Sequence, residues 1–239
     1  MTRLYENSDV VALDKPAGVS MATSTRPGKS GEDAVIRLLA ACGEEPDPAL
    51  RLVHRLDVGT SGVVLLARTE AAHRALSQAF QTGGAHKTYR ALVWGHPRPA
   101  EGLYEDPLGR DPEDGRKMRV SPDGKPAASR YRTLARFASI AELELSPETG
   151  RTHQIRVHVT AHGHPIVGDD LYGGATRWHG VRDASRRRAL AAVKRPLLHA
   201  ARIAVPELSI DVSAPLPEDY RRLRDVLEAR EFTTPGTLP

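Results

Sequence analysis

Apolar residues recur along this chain with two different periods. Val10-Val11-Ala12-Leu13 forms a short apolar run closed by Pro16 and Gly18, and Val63-Val64-Leu65-Leu66-Ala67 a second one entered from a polar loop. Both read as strands, the second a buried one. Residues 86–94 alternate in the manner of a strand, and residues 129–146 carry Tyr131, Thr133, Leu143 and Leu145 in the alternating pattern of a hairpin. Helical spacing dominates elsewhere. Residues 31–42 predict an amphipathic helix, and residues 70–80 another, with Ala72, Leu76 and Phe80 on one face and Gly83-Gly84 as its end. Residues 152–162 place Ile155, Val159 and His162 on one face, and residues 219–230 predict a closing amphipathic helix. Between positions 101 and 126 the chain is rich in Pro, Gly and Asp, which predicts turns or a long excursion. Strands and helices mix without a strict βαβ alternation, so the pattern predicts an α+β fold with a largely antiparallel sheet. No repeat, low-complexity tract or linker divides the 239 residues, and a single domain is expected over 1–239.

Composition narrows the possibilities. Hydrophobic residues make up 40% and charged residues 27%, ordinary values for a globular chain. No apolar run reaches the roughly 20 residues that span a bilayer, and the start, Met1-Thr2-Arg3-Leu4-Tyr5-Glu6-Asn7, lacks an apolar signal core. Cys42 is the one cysteine, which excludes an internal disulfide and a multi-cysteine zinc site and suits a reducing cytoplasm. The formal charge is +4 and the pI about 9.4. Of the 34 basic residues six are Lys, leaving 28 Arg. Arginine's planar fork grips phosphate and stacks on bases, so a polyanion such as nucleic acid is one reading; a GC-rich genome is the other.

Three segments concentrate polar chemistry. His54-Arg55-Leu56-Asp57-Val58-Gly59-Thr60-Ser61-Gly62 puts a carboxylate, an arginine and two hydroxyls at a loop-to-strand junction, where reactive groups are commonly displayed. Alone, it is equally a turn in which Asp57 caps backbone amides. Gly150-Arg151-Thr152-His153-Gln154-Ile155-Arg156 sets Arg151 at the mouth of a helix that Thr152 can cap, although an isolated Arg there is also an ordinary surface residue. Lys87 and Tyr89 share one face of the 86–94 strand and either receive a base or close a strand edge.

Taken together and in this order, the segments resemble the RluA-type RNA pseudouridine synthases. His54-Arg55-Leu56-Asp57-x-x-Thr60-Ser61-Gly62 matches that family's signature around its catalytic aspartate, Lys87-x-Tyr89 its base-facing strand, and Gly150 to Arg156 its arginine loop. Asp14-Lys15-Pro16-Ala17-Gly18, Gly168-Asp169-x-Leu171-Tyr172-Gly173 and Leu198-His199-Ala200 follow the family's order, so the resemblance runs from about Val10 to Pro215. It implies isomerisation of uridine in tRNA or large-subunit rRNA, with the target base turned out of its stack. Asp57 is then the nucleophile or the ribose-deprotonating base. Arg151 pairs with Asp57, Tyr89 stacks on the base, and Arg55, Thr60 and Lys87 bind substrate, Arg55 filling the gap left by the turned-out nucleotide. The implied partner is RNA, with no metal, no cofactor and no membrane, and a cytoplasmic monomer is expected. Relatives often carry a small S4 domain ahead of the catalytic one; here the catalytic pattern begins by Val10, so substrate choice is expected from the loops at 101–126 and 175–195.

Other patterns point elsewhere. Pro27-Gly28-Lys29-Ser30 resembles the end of a phosphate-binding loop, but Thr23 stands where its leading Gly belongs. Gly59-Thr60-Ser61-Gly62 resembles a hydrolase nucleophile elbow with its second Gly one residue early. His153, His158, His162 and His164 suggest a metal-dependent hydrolase, yet no Glu adjoins His158, and His153 is expected to orient the Arg151 loop. The basic stretch Arg182, Arg186, Arg187, Arg188, Lys194 and Arg195 reads as a solvated helix face or an RNA backbone contact. A rival from a different class is a non-catalytic RNA-binding protein on the same scaffold.

Overall fold

The structure is a computed structural model that describes residues 2–23 and 30–229. Pro27, Gly28 and Lys29 of the phosphate-loop pattern, and Arg230 at the end of the closing helix, lie outside the described residues. In chain order the elements are β1 (Arg3–Glu6), β2 (Val10–Lys15), α1 (Gly31–Ala41), β3 (Arg51–Leu52), β4 (Ser61–Ala67), α2 (Glu70–Thr82), β5 (His86–Trp94), β6 (Glu101–Tyr104), β7 (Leu108–Arg110) and β8 (Met118–Val120). There follow β9 (Ser129–Arg136), β10 (Ile140–Pro147), α3 (Gln154–Ala161), α4 (Ala184–Ala191), β11 (Leu198–Val205), β12 (Ile210–Ser213) and α5 (Glu218–Glu228). The expected α+β class holds. One large sheet runs β1-β2-β4-β11-β5-β10-β9-β6, with β12 beside β11 and β3 beside β4.

Every pairing in that sheet is antiparallel except β4 with β11, which meet in parallel through His199↔Ser61 and Ala200↔Gly62. Gly62 permits this meeting. Its φ is +114°, and a Cβ there would lie 2.2 Å from the Ala200 carbonyl oxygen. Hydrophobic layers cover both faces, which explains the continuous apolar run of β4. Val63 and Leu65 pack toward α2 through Leu76 and Ala79, while Val64 and Leu66 pack toward α1 through Val35, Leu38 and Leu39. Across the other half, Leu143 and Leu145 face Ile155 and Val159 of α3, and Leu92 and Ile140 face Tyr220, Leu223 and Leu227 of α5. The buried carboxylate of Glu142 adds a polar rivet to that second layer, accepting from Arg90, Arg224 and the Tyr220 hydroxyl.

Three local expectations are revised. Residues 101–126 contain more than turns: β6 joins the edge of the main sheet, and β7 with β8 forms a separate hairpin. The helix expected from Thr152 starts at Gln154, and its N-cap is His153 at φ +55° with no side-chain cap. The basic stretch forms only a short helix, α4, capped by Asp183 accepting from the Arg186 amide.

Candidate active site

The segment from His54 to Thr60 is anchored through His54, Thr60 and the carbonyls of Val58 and Gly59. The Leu65 amide donates to His54 Nε2 at 2.9 Å, and the ring stacks on Phe80 with centroids 4.3 Å apart. Burial pushes the His54 pKa down to about 3, so the ring is a neutral acceptor. Thr60 is buried, and its amide donates to the Asp57 carbonyl at 3.0 Å, closing a turn. Lys15, wholly buried at the end of β2, donates to the carbonyls of Pro16 at 2.9 Å and Val58 at 3.4 Å. Burial pushes its pKa down to about 8, although the Asp57 charge works in the other direction. Arg195 Nη1 donates to the Gly59 carbonyl at 3.3 Å, while its Nε and Nη2 grip Asp219 of α5 at 2.6 and 2.8 Å. Two cations therefore hold the carbonyls that follow Asp57, leaving the Asp57 side chain half-buried at the surface of the loop.

The cation beside Asp57 is Arg156. Its Nη1 lies 3.3 Å from Asp57 Oδ2, and its Nε and Nη2 make a two-pronged bond to the fully buried Asp169 at 2.7 and 2.9 Å. Burial acts to lower the Arg156 pKa, but its hydrogen bonds to Asp169 and the Asp169 and Asp57 charges override it, and the net direction is upward. This corrects the expected partner. Arg151 is exposed, its Nε donates to the Pro126 carbonyl at 3.1 Å, and its amide donates to Gln154 Oε1 at 2.9 Å. The late start of α3 is the reason: the first helical turn carries Arg156 inward against Asp57 and Asp169 and leaves position 151 on the rim.

Asp57 stands on a cavity of about 320 Å³, near the lower end of the range for ligand sites. Tyr89, Lys87, Arg55, Thr60 and Arg151 line it with Asp57. Five of the expected side chains are thus brought together around the sixth. Burial and then the Asp57 charge raise the Tyr89 pKa, so its phenol keeps its proton. Lys87 Nζ donates to the Thr149 carbonyl at 3.2 Å, tying β5 to the loop before α3. Arg55 is exposed and also lines a second opening of about 310 Å³ that shares Asp57, with Ser20, Met21, Val58 and Arg116.

A family model described as RNA pseudouridylate synthase matches residues 9–161, close to two thirds of the chain. The chain belongs to that family. It is 39% identical to the ribosomal large subunit pseudouridine synthase D of Xanthomonas campestris over 94% of this chain and 68% of that protein. It is 36% identical to the dual-specificity RNA pseudouridine synthase RluA of Escherichia coli, covering 91% of this chain and 93% of that one. Among solved structures, human RNA pseudouridylate synthase domain containing 4 superposes with a TM-score of 0.71 at 25% identity, over 95% of this chain and 92% of that chain. The chain is accordingly an isomerase that acts on RNA, and its mixed fold is that of pseudouridylate synthase domains.

Within this pseudouridylate synthase fold the remaining candidates have structural work. His158 contacts Ser129 Oγ at 3.0 Å and the Asp106 carbonyl at 3.1 Å, and His162 contacts Asp106 Oδ2 at 2.8 Å. Both rings serve to hold α3 against the loop before β7. Arg195 is drawn inward as described, so the basic stretch is not one continuous solvated face. His153 faces Asp57 and Tyr172, not the Arg151 loop, with Nε2 3.9 Å from Asp57 Oδ2 and Nδ1 2.9 Å from the Tyr172 hydroxyl. Arg156, Asp169, His153 and Tyr172 were all present in the matched segments. What singles out Arg156 is its place among Ile155, Val157 and Val159, where a buried guanidinium demands a buried carboxylate.

Proposed function

We propose that this protein converts specific uridines of large-subunit ribosomal RNA or tRNA into pseudouridine, with Asp57 as the reacting carboxylate. The reaction breaks the C1′–N1 bond, turns the base within the site, and joins C1′ to C5, which loses its proton while N1 gains one. Electrons balance without a redox partner, because the product is an isomer of the reactant. Asp57 either attacks C1′ or removes a proton from the ribose. Both require a carboxylate held close to the sugar, and a guanidinium bonded to it fixes its orientation. Arg156 supplies this, and its grip on Asp169 keeps the fork from wandering. Tyr89 forms the wall on which the extruded base stacks, an interaction of about 1–3 kcal/mol per base. Arg55 and Arg151, both exposed at the rim, engage the RNA strand around the turned-out nucleotide, Arg55 entering the gap in the stack.

The observation that carries this reading is the convergence of Asp57, Arg156 and Tyr89 on one cavity. One relative is named for the large ribosomal subunit and another for dual specificity on RNA, which supports an RNA substrate here. The test uses RNA labelled with tritium at uridine C5 and isolated from cells lacking this gene. The protein should release the label, and Asp57→Asn should release none while still binding the RNA. Pseudouridine mapping of the same RNA before and after incubation identifies the position. Full activity of Asp57→Asn would remove the assignment, and RNA binding without release by the unaltered protein would favour a non-catalytic role.

A further inference from the structure

Tyr172 links the β7–β8 hairpin to the ring beside Asp57. The Met118 amide of β8 lies 2.9 Å from the Tyr172 hydroxyl oxygen, and that hydroxyl lies 2.9 Å from His153 Nδ1. A backbone amide only donates, so the Tyr172 oxygen accepts from Met118. The single hydroxyl hydrogen is then available to His153 Nδ1, which accepts it in one of the two neutral tautomers. A neutral imidazole accepting at Nδ1 carries its proton on Nε2. Nε2 is the atom that faces Asp57 Oδ2 at 3.9 Å, about 1 Å beyond hydrogen-bond length. Such contacts commonly tighten when substrate closes the site.

Two further observations indicate that the ring is held there at a cost. His153 has φ +55°, a left-handed conformation that is uncommon in residues other than glycine. It also occupies an N-cap where Ser, Thr, Asn or Asp would bond the helix amides, and it makes no such bond. Its backbone instead aims the ring between Tyr172 and Asp57, with the ring edge-on to Tyr172 at 86°. Arg156 sits 4.9 Å over the Tyr172 ring, so the tyrosine braces both donors.

We propose that neutral His153, with its proton on Nε2, is a positioning residue for Asp57, held in that tautomer by Tyr172 and the hairpin. Resting on the isomerase reading above, this directs two donors at one oxygen of Asp57: Arg156 Nη1, bonded at 3.3 Å, and His153 Nε2, poised at 3.9 Å from the same Oδ2. Oδ1 is thereby left to face the ribose. The groups around the ring are Asp57 and Arg55 from the catalytic segment, Arg156 from α3, and Asp169 and Tyr172 from the following loop. Burial lowers the His153 pKa and the Asp57 charge opposes it, with a net downward direction. Protonation would place a hydrogen on Nδ1 and oblige the Tyr172 hydroxyl to turn away.

Ring-nitrogen NMR of the full chain tests the tautomer directly, the His153 signals being those missing from His153→Gln. The proton is expected on Nε2 at pH 7.5, and in Tyr172→Phe the ring should lose this preference. Kinetics on the C5-tritiated RNA test the role. His153→Ala should lower kcat roughly 100-fold and Tyr172→Phe roughly tenfold with KM little changed, the scale expected when a reacting group is misplaced. His153→Gln, whose amide reaches the Nε2 position, should recover kcat to within about threefold of the unaltered protein. In Tyr172→Phe the acid limb of the kcat profile should move to higher pH, because Nδ1 is then free to take a proton. A proton found on Nδ1, or a charged ring at pH 7.5, overturns the proposal, as does an unchanged kcat in His153→Ala. Should the unaltered protein release no tritium, the isomerase reading fails, and the NMR spectra still decide the His153 arrangement.

Discussion

Arg156 and Arg151 stand five residues apart in one motif, and replacing each with Met separates two readings of that motif. Arg156→Met removes one partner from a buried ion pair: Asp169 is fully buried and, among the described residues, would keep only the Tyr172 amide as donor. Orphaning a buried charge costs about 3–5 kcal/mol. For a domain of this size each kcal/mol moves Tm by about 2–4 °C, so the expected fall is roughly 6–20 °C. Arg151 is exposed and bonds only one carbonyl through its side chain, so Arg151→Met should stay within about 0.5 kcal/mol, or roughly 2 °C. The double variant Arg156→Met, Asp169→Leu removes the orphan, and a well-packed apolar pair can match a buried ion pair in stability. Its Tm should return most of the way, while tritium release stays abolished because Asp57 has lost its guanidinium. Thermal denaturation followed by circular dichroism, with the tritium assay alongside, measures all of this. If Arg156→Met melts within 2 °C of the unaltered protein, or Arg151→Met falls further than Arg156→Met, the ion-pair argument is wrong.

Further expectations concern the frame around the site. His199 is fully buried, Ser61 Oγ lies 3.0 Å from its Nδ1, and burial pushes its pKa down to about 4. The unfolded chain takes up this proton near pH 6.5 while the folded chain refuses it, so stability is lost as pH falls from about 6.5 toward 4, at about 1.4 kcal/mol per pH unit. Urea denaturation at pH 7 and pH 5 should show this slope diminished in His199→Gln; an identical slope would refute it. Gly62→Ala should fail to fold or lose at least about 3 kcal/mol, since the added carbon meets backbone at 2.2 Å in a left-handed conformation; a normal denaturation midpoint would contradict the β4–β11 approach. Arg195→Met should lower kcat about tenfold or more through the freed Gly59 carbonyl, and an unchanged kcat would show that the loop keeps its shape without that clamp.

The sequence made the individual elements legible where local pattern decides them. The unbroken apolar run at 63–67 is a central strand, the 70–80 spacing is α2, and the 129–146 alternation is β9 with β10. Pairing was not legible. Nothing in Leu198-His199-Ala200 says that it lies parallel to Ser61-Gly62, because side-chain period reports which face is buried and not which strand is the neighbour. The same limit explains the arginine. Arg151 and Arg156 both sit in the matched loop, and a shift of two residues in the start of α3 decides which one faces Asp57. His153 was expected to orient the Arg151 loop and faces Asp57 instead, because its placement depends on Tyr172 and Met118, which reach it from two other segments. The excursion at 101–126 hid β6, whose pattern Glu101-Gly102-Leu103-Tyr104 is too short for alternation to stand out from turn residues.

The parallel seam between β4 and β11 has a consequence for how the protein comes into being. Ser61 and His199 are 138 residues apart, yet the hydrogen bond between them adjoins the loop that carries Asp57. Closing so long a segment is entropically late in folding. During synthesis the first two thirds of the chain can collapse around β2, β4 and their helices, but the strand that pairs with Ser61 and Gly62 is missing until residues near 200 have left the ribosome. On the proposed role of Asp57, competence to modify RNA is then acquired only once that strand is in place.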